Sequence, residues 1–182
     1  MKRSVPVPFW ALLSGSVVIF VCGLSLLGWF LSSTYVVNFS GSMAEGVYLR
    51  THDDVARGAI VMFCPSSDIL ARRKAAGGKV VAGPCASGSV MYLKRVAAVA
   101  GDDVLLQARG MTVNGQMIPN SSPVRTPRMR VLQSVAPGRY RVPGGHVWVI
   151  SESPSGYDSR YYGPVKPETT LVPVLLWKGA DR

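Results

Sequence analysis

Histidine and cysteine are the scarcest of the chemically versatile residues in this 182-residue chain, at two and three. A metal centre needs several imidazole, thiolate or carboxylate ligands at a recognisable spacing. His52, His146, Cys22, Cys64 and Cys85 offer none, so no metal is expected. The same scarcity bears on histidine-dependent serine hydrolases. His52 lies in the charged, turn-like stretch Arg50-Thr51-His52-Asp53-Asp54, His146 follows Pro143-Gly144-Gly145 at a strand start, and no G-x-S-x-G elbow accompanies either. Both read as surface or structural residues. Acidic side chains are few as well, with Asp+Glu 10 against Lys+Arg 20 and a net charge of +10. With 48% hydrophobic and 16% charged residues and a mean hydropathy of +0.23, the chain is too apolar to be disordered and high for an ordinary soluble domain.

The apolar excess is concentrated where charge is missing altogether, between Arg3 and Glu45. Phe9 to Leu31 reads FWALLSGSVVIFVCGLSLLGWFL, and a helix of that length reaches ~34 Å, enough for a hydrocarbon core of about 30 Å. Trp10 and Trp29 stand near its ends, where indole prefers the membrane interface. Lys2 and Arg3 place the N-terminus in the cytoplasm and send the remainder outward. The alternative is a cleaved signal peptide, but the run exceeds an ordinary apolar region of that kind and no A-x-A site follows it. The expected layout is a cytoplasmic 1–8, a membrane helix 9–31, a connector 32–38 and an exported domain 39–182.

That domain is long enough for one core. It holds all of the Lys and Arg except Lys2 and Arg3. The bases are scattered, Arg72-Arg73-Lys74 being the only run of three and having no aromatic interleaving. They read as a solvated face near a lipid bilayer, with no nucleic-acid partner. Cys22 falls inside the apolar span as a small hydrophobe. Cys64 and Cys85 adjoin prolines and bracket an insert, 64–85, and in an exported domain a disulfide is favoured over two free thiols.

Short β-type runs separated by Gly, Pro and Asn follow the connector: Val47–Leu49, Ala59–Phe63, Val90–Ala100, Val104–Leu106, Val147–Ile150 and Leu171–Trp177. Met111–Val113 and Gln116–Ile118 flank Asn114-Gly115, a favoured two-residue hairpin turn. A short helix capped by Ser67 and ended by Gly77-Gly78 is expected in the insert, outside the core. Pro119–Arg130 reads as a surface loop. The fold class is mainly β, an antiparallel domain behind one N-terminal helix, with no repeat and no βαβ alternation.

Two places could do chemistry. Ser40-Gly41-Ser42, just beyond the connector, is a small turn able to expose a hydroxyl near backbone N–H groups. In Val90–Ala100 the two-residue period puts Val90, Tyr92, Lys94, Val96 and Ala98 on one face, so Lys94 has mostly apolar neighbours. Desolvation there lowers the lysine pKa, and a neutral amine can take a proton from a serine hydroxyl. Periodicity leaves the alternative open that Lys94 snorkels out or pairs with an acid.

Ser40-Gly41-Ser42-Met43, Tyr92-Leu93-Lys94-Arg95-Val96 closing on Gly101-Asp102, Asn114-Gly115, and Asp158-Ser159-Arg160-Tyr161-Tyr162-Gly163-Pro164-Val165 resemble, in order and spacing, the boxes of type I signal peptidases. The short length, the Cys64 and Cys85 pair and Gly46-Val47-Tyr48 look most like the TraF-type conjugative-transfer peptidases. The resemblance implies a signal-peptidase-like β domain in the periplasm, anchored in the bacterial inner membrane and using no cofactor. It implies Ser42 as nucleophile and Lys94 as general base. Ser40 and the Ser42 N–H would form the oxyanion hole, with Asp158, Ser159 and Arg160 supporting the lysine. The implied substrate is an exported precursor cut after small side chains, a conjugative pilin, with hydrolysis and cyclisation both open. Two departures stand out. Ala44 replaces a common proline, and Gly156 falls where many of these enzymes have a serine that bonds the lysine. Ser155, Ser159 or a different arrangement then has to hold it. The rival readings are a noncatalytic assembly subunit and a self-cleaving Ser-Lys module of the LexA sort.

Overall fold

The computed structural model describes residues 9–122 and 135–179. The chain divides into two units, Met1–Val36 and Val37–Arg182. The first is helix α1 (Phe9–Thr34), whose Val17–Thr34 stretch has a mean hydropathy of 2.0 and is long and apolar enough to cross a membrane. The helix runs past the expected end at Leu31. Ser32 and Ser33 do not break it because their hydroxyls bond back to the carbonyls of Trp29 and Phe30, at 3.0 and 2.9 Å. The expected connector 32–38 is thus the last helical turn followed by strand β1 (Tyr35–Asn38).

The remaining elements are β2 (Glu45–Thr51), β3 (Ile60–Phe63), α2 (Ser67–Ala75), β4 (Tyr92–Ala98), β5 (Asp103–Gln107), β6 (Gly110–Val113), β7 (Gln116–Met117), β8 (Gly138–Arg141), β9 (Trp148–Ile150), α3 (Ser159–Tyr162) and β10 (Thr169–Lys178). One sheet has the order β1-β2-β10-β3-β4-β9 and the other β7-β6-β5-β8. The pairings β2–β10, β10–β3, β3–β4, β4–β9, β5–β6, β5–β8 and β6–β7 are antiparallel, as the fold class expected. Asn114 and Gly115 both take positive φ, 49° and 82°, the backbone that a two-residue turn between twisted strands demands. Of the expected loop Pro119–Arg130, only residues 119–122 are described.

β4 serves two cores through its two faces. Val96 joins Val61, Phe63, Val149, Tyr157 and Tyr161. Ala97 and Ala98 join Val104, Leu106, Met111, Val113, Trp148 and Ile150; Ala98 was expected on the face of Val96, but the pairing with β9 shifts register between the two, which breaks the alternation. Two expectations about the insert change. Its helix is capped by Ser66, whose hydroxyl accepts from the Ile69 N–H. It also does not lie outside the core, because Ile69 and Ala76 are buried in the first cluster and the Tyr157 hydroxyl donates to the Ile69 carbonyl at 2.9 Å. The apolar Ile69 and Leu70 at the helix start are more stably buried than solvated. A disulfide joins Cys64 to Cys85.

Candidate active site

The Ser40–Met43 turn is held from three directions. From its N-terminal side, Asn38 accepts the Ser40 N–H at 3.1 Å and the Ser40 hydroxyl at 2.7 Å on one oxygen. The Asn38 amide donates to the Ala44 carbonyl at 2.9 Å. This is an Asx-turn that closes the loop on itself. From below, Met43 is fully buried. Across the sheet, the Glu152 N–H donates to the Ser42 carbonyl at 2.9 Å, and the Glu152 carboxylate accepts the Ala44 N–H at 3.0 Å. Glu152 is itself paired with Arg95. The result is a fixed turn with the Ser42 hydroxyl at its tip.

Lys94 comes to that hydroxyl from β4. It is 5% exposed, yet its Nζ lies 2.8 Å from Ser42 Oγ. Burial drives its pKa from the ordinary 10.5 down to about 8, helped by the positive charges of Arg73 and Arg160 and opposed by the Asp158 carboxylate. The amine therefore does not snorkel. Ser40 Oγ stands 3.2 Å from Ser42 Oγ.

Asp158 and Arg160 are fully buried and joined twice, Nε to Oδ1 and Nη2 to Oδ2, both at 2.8 Å. Asp158 also caps α3 by accepting the Arg160 N–H and takes the Ser151 N–H at 2.9 Å. Arg160 places its remaining N–H groups on the carbonyls of Ser122, Pro154 and Gly156. A buried pair persists only when its hydrogen bonds are satisfied in this way, and the pair locks the last box beside β9.

Neither serine offered in place of a residue at 156 serves the lysine. Ser159 Oγ accepts the Val149 N–H at 2.8 Å, a brace between α3 and β9. Ser155 is exposed, and its hydroxyl meets that of Ser153 at 3.1 Å. His52 is exposed, and His146 bonds locally to the Gly144 carbonyl. Sequence reasoning missed Asn38 and Glu152. Asn38 had a signal, an amide two residues before a Ser-Gly-Ser turn. Glu152 had none, since its role depends on the β4–β9 pairing.

The family model described as "Signal peptidase, peptidase S26" matches residues 10–174. The chain is 32% identical over 146 residues to a "Plasmid transfer protein TraF" of Escherichia coli, covering 78% of this chain and 82% of that one. It is 32% identical over 141 residues to a "Conjugal transfer protein TraF" of Agrobacterium tumefaciens (strain 15955), covering 76% and 78%. A crystal structure of a signal peptidase I from Enterococcus faecalis V583 covers 67% of this chain and all of its own, with 19% identity and a TM-score of 0.39. A match over most of the chain, with relatives above 30% identity along most of their own length, makes this protein a member of the S26 signal peptidase family.

Proposed function

We propose that the protein is a membrane-anchored serine endopeptidase that processes an exported precursor, a conjugative pilin, on the periplasmic side of the bacterial inner membrane. The observation that carries this reading is the 2.8 Å contact between the Ser42 hydroxyl and a buried lysine amine. With a pKa of about 8, about a tenth of Lys94 is neutral at pH 7. The neutral amine takes the Ser42 proton as Oγ attacks the scissile carbonyl. The resulting ammonium then gives that proton to the leaving amine. An acyl ester on Ser42 remains. A water deprotonated by Lys94 hydrolyses it, or the substrate's own amino terminus takes the acyl group and closes a ring. Charge that develops on the carbonyl oxygen meets the Ser42 N–H and the Ser40 hydroxyl, which must turn from Asn38 to reach it. The name TraF borne by the relatives supports a place in conjugation, and α1 supports the anchor.

Processing of a co-expressed conjugative prepilin tests this directly. Wild type converts precursor to mature product. Ser42→Ala, Lys94→Ala and Lys94→Arg each leave it uncut, the last because guanidinium stays protonated at any usable pH. Wild-type conversion by Lys94→Arg would overturn the Ser-Lys assignment and return the scaffold reading.

A further inference from the structure

Ser151 carries a hydroxyl that the mechanism above does not use. The residue is 2% exposed, and its Oγ has no hydrogen-bond partner among the described residues. Buried hydroxyls in that condition are uncommon, and each calls for an explanation.

Its place in the sheet supplies one. β4 and β9 run antiparallel with Val96 opposite Val149 and Arg95 opposite Ile150. β9 ends at Ile150, and one further step along the same register would set Lys94 opposite Ser151. Directly opposed residues share a face, with Cβ atoms about 4.5–5.5 Å apart. That face is the one on which Val96 and Val149 meet in the first core. The backbone around Ser151 is pinned at both ends of the site, since its own N–H bonds Asp158 and the next N–H bonds the Ser42 carbonyl.

Gly156 completes the argument. A Cβ at that position would stand 2.0 Å from Ser151 Oγ and 2.1 Å from Ser151 Cβ. Gly156 is not among the positive-φ glycines, so its backbone does not require glycine. What requires it is the space taken by the Ser151 side chain.

Resting on the Ser42–Lys94 reading, we propose that Ser151 is the positioning residue of the lysine. The bond is absent from the resting structure; during turnover its Oγ accepts one N–H of Lys94 Nζ and leaves the nitrogen lone pair aimed at the Ser42 hydroxyl. The bond favours the ammonium over the neutral amine, because hydrogen bonds to charged groups are the stronger ones.

The test uses full-length protein in detergent with purified prepilin. Ser151→Ala is expected to lower kcat about 10- to 100-fold with KM unchanged, as loss of alignment does. Without the bond the ammonium is less favoured, so the rising limb of the pH profile moves to lower pH by about half a unit to one unit. A merely structural role would not move that limb. The hydroxyl is then transposed. The double variant Ser151→Gly with Gly156→Ser is expected to recover at least about tenfold over Ser151→Gly alone, and it decides by itself if Ser151→Ala does not accumulate. Wild-type kcat with an unmoved limb in Ser151→Ala, or a double variant no better than Ser151→Gly, overturns the proposal. Lys94→Ala runs in parallel. If it cuts, the Ser-Lys reading falls. If it is inert while Ser151→Ala is unaffected, only the role of Ser151 falls.

Discussion

The two cores on either side of β4 bury their surroundings to different ends. In the second, Val104, Leu106, Met111 and Val113 close against Trp148 and Ile150, and burial stabilises the fold in proportion to apolar area. In the first, Val61, Phe63, Val96 and Val149 surround a strand whose next inward side chain is Lys94. There burial works against the fold. Lys94 has a pKa of about 8 folded against an ordinary 10.5, so the folded state binds its proton less tightly than the unfolded one. Below pH 8 that difference costs about 3 kcal/mol, and the cost fades as pH rises through 8 toward 10.5. The same apolar packing that holds one sheet together makes, two residues from Val96, the amine proposed as the base.

The largest expected effect separates the two uses at a single position. Lys94→Met removes the proposed base and should reduce prepilin processing by more than about 10³-fold. In urea unfolding at pH 7 the variant should gain about 1–3 kcal/mol, a gain that shrinks as the titration is repeated toward pH 10. A loss of stability at pH 7 would mean that burial of the amine is not a cost. Next in size is a truncation in the other core. Leu106→Ala should cost about 2–5 kcal/mol, while the folded fraction processes prepilin within about twofold of wild type because the change is remote from the dyad. Smallest is the polar edge of the second core. There the Asp102 carboxylate, paired with Arg57 and accepting from the Val99 N–H and Asn114, is held down to about 2. A carboxylate with a lowered folded pKa adds stability that is present above the unfolded value of 3.8 and is lost as pH falls through 2. Asp102→Asn should cost about 1–2 kcal/mol at pH 7, allowing for solvent around Arg57, and should match wild type near pH 2.

The extent to which the sequence announced this arrangement follows range of interaction. Alternation in Val90–Ala100 placed Lys94 and Val96 together, and the structure has them on one face with Arg95 on the other. The Asn114-Gly115 turn was readable because its geometry is set within two residues. The Gly138–Arg141 strand was not, since Gly-Arg-Tyr-Arg has no apolar alternation and is a strand only because β5 pairs with it. Periodicity puts Arg95 on the face away from Lys94, and only the fold shows that its pairing with Glu152 connects it to the Ala44 N–H. The α2 helix was placed correctly in the chain and wrongly in space, because nothing local says that Ile69 meets Tyr157. Contacts made across many residues carry no local signature, and the support of the Ser42–Lys94 contact is built almost wholly from them.

Those long separations also set a timetable. Ser42 precedes β2, whereas the groups that seat it come from Glu152 and those that enclose Lys94 include Asp158 and Arg160. A chain emerging N-terminus first presents its serine early, attached to an amine that is still solvated and protonated at neutral pH. Only when residues near 160 have followed does the lysine lose water and give up its proton readily enough for a neutral fraction to exist at neutral pH. The distance along the chain is thus a delay line: on the proposed reading, the serine has no working base until the last box has folded.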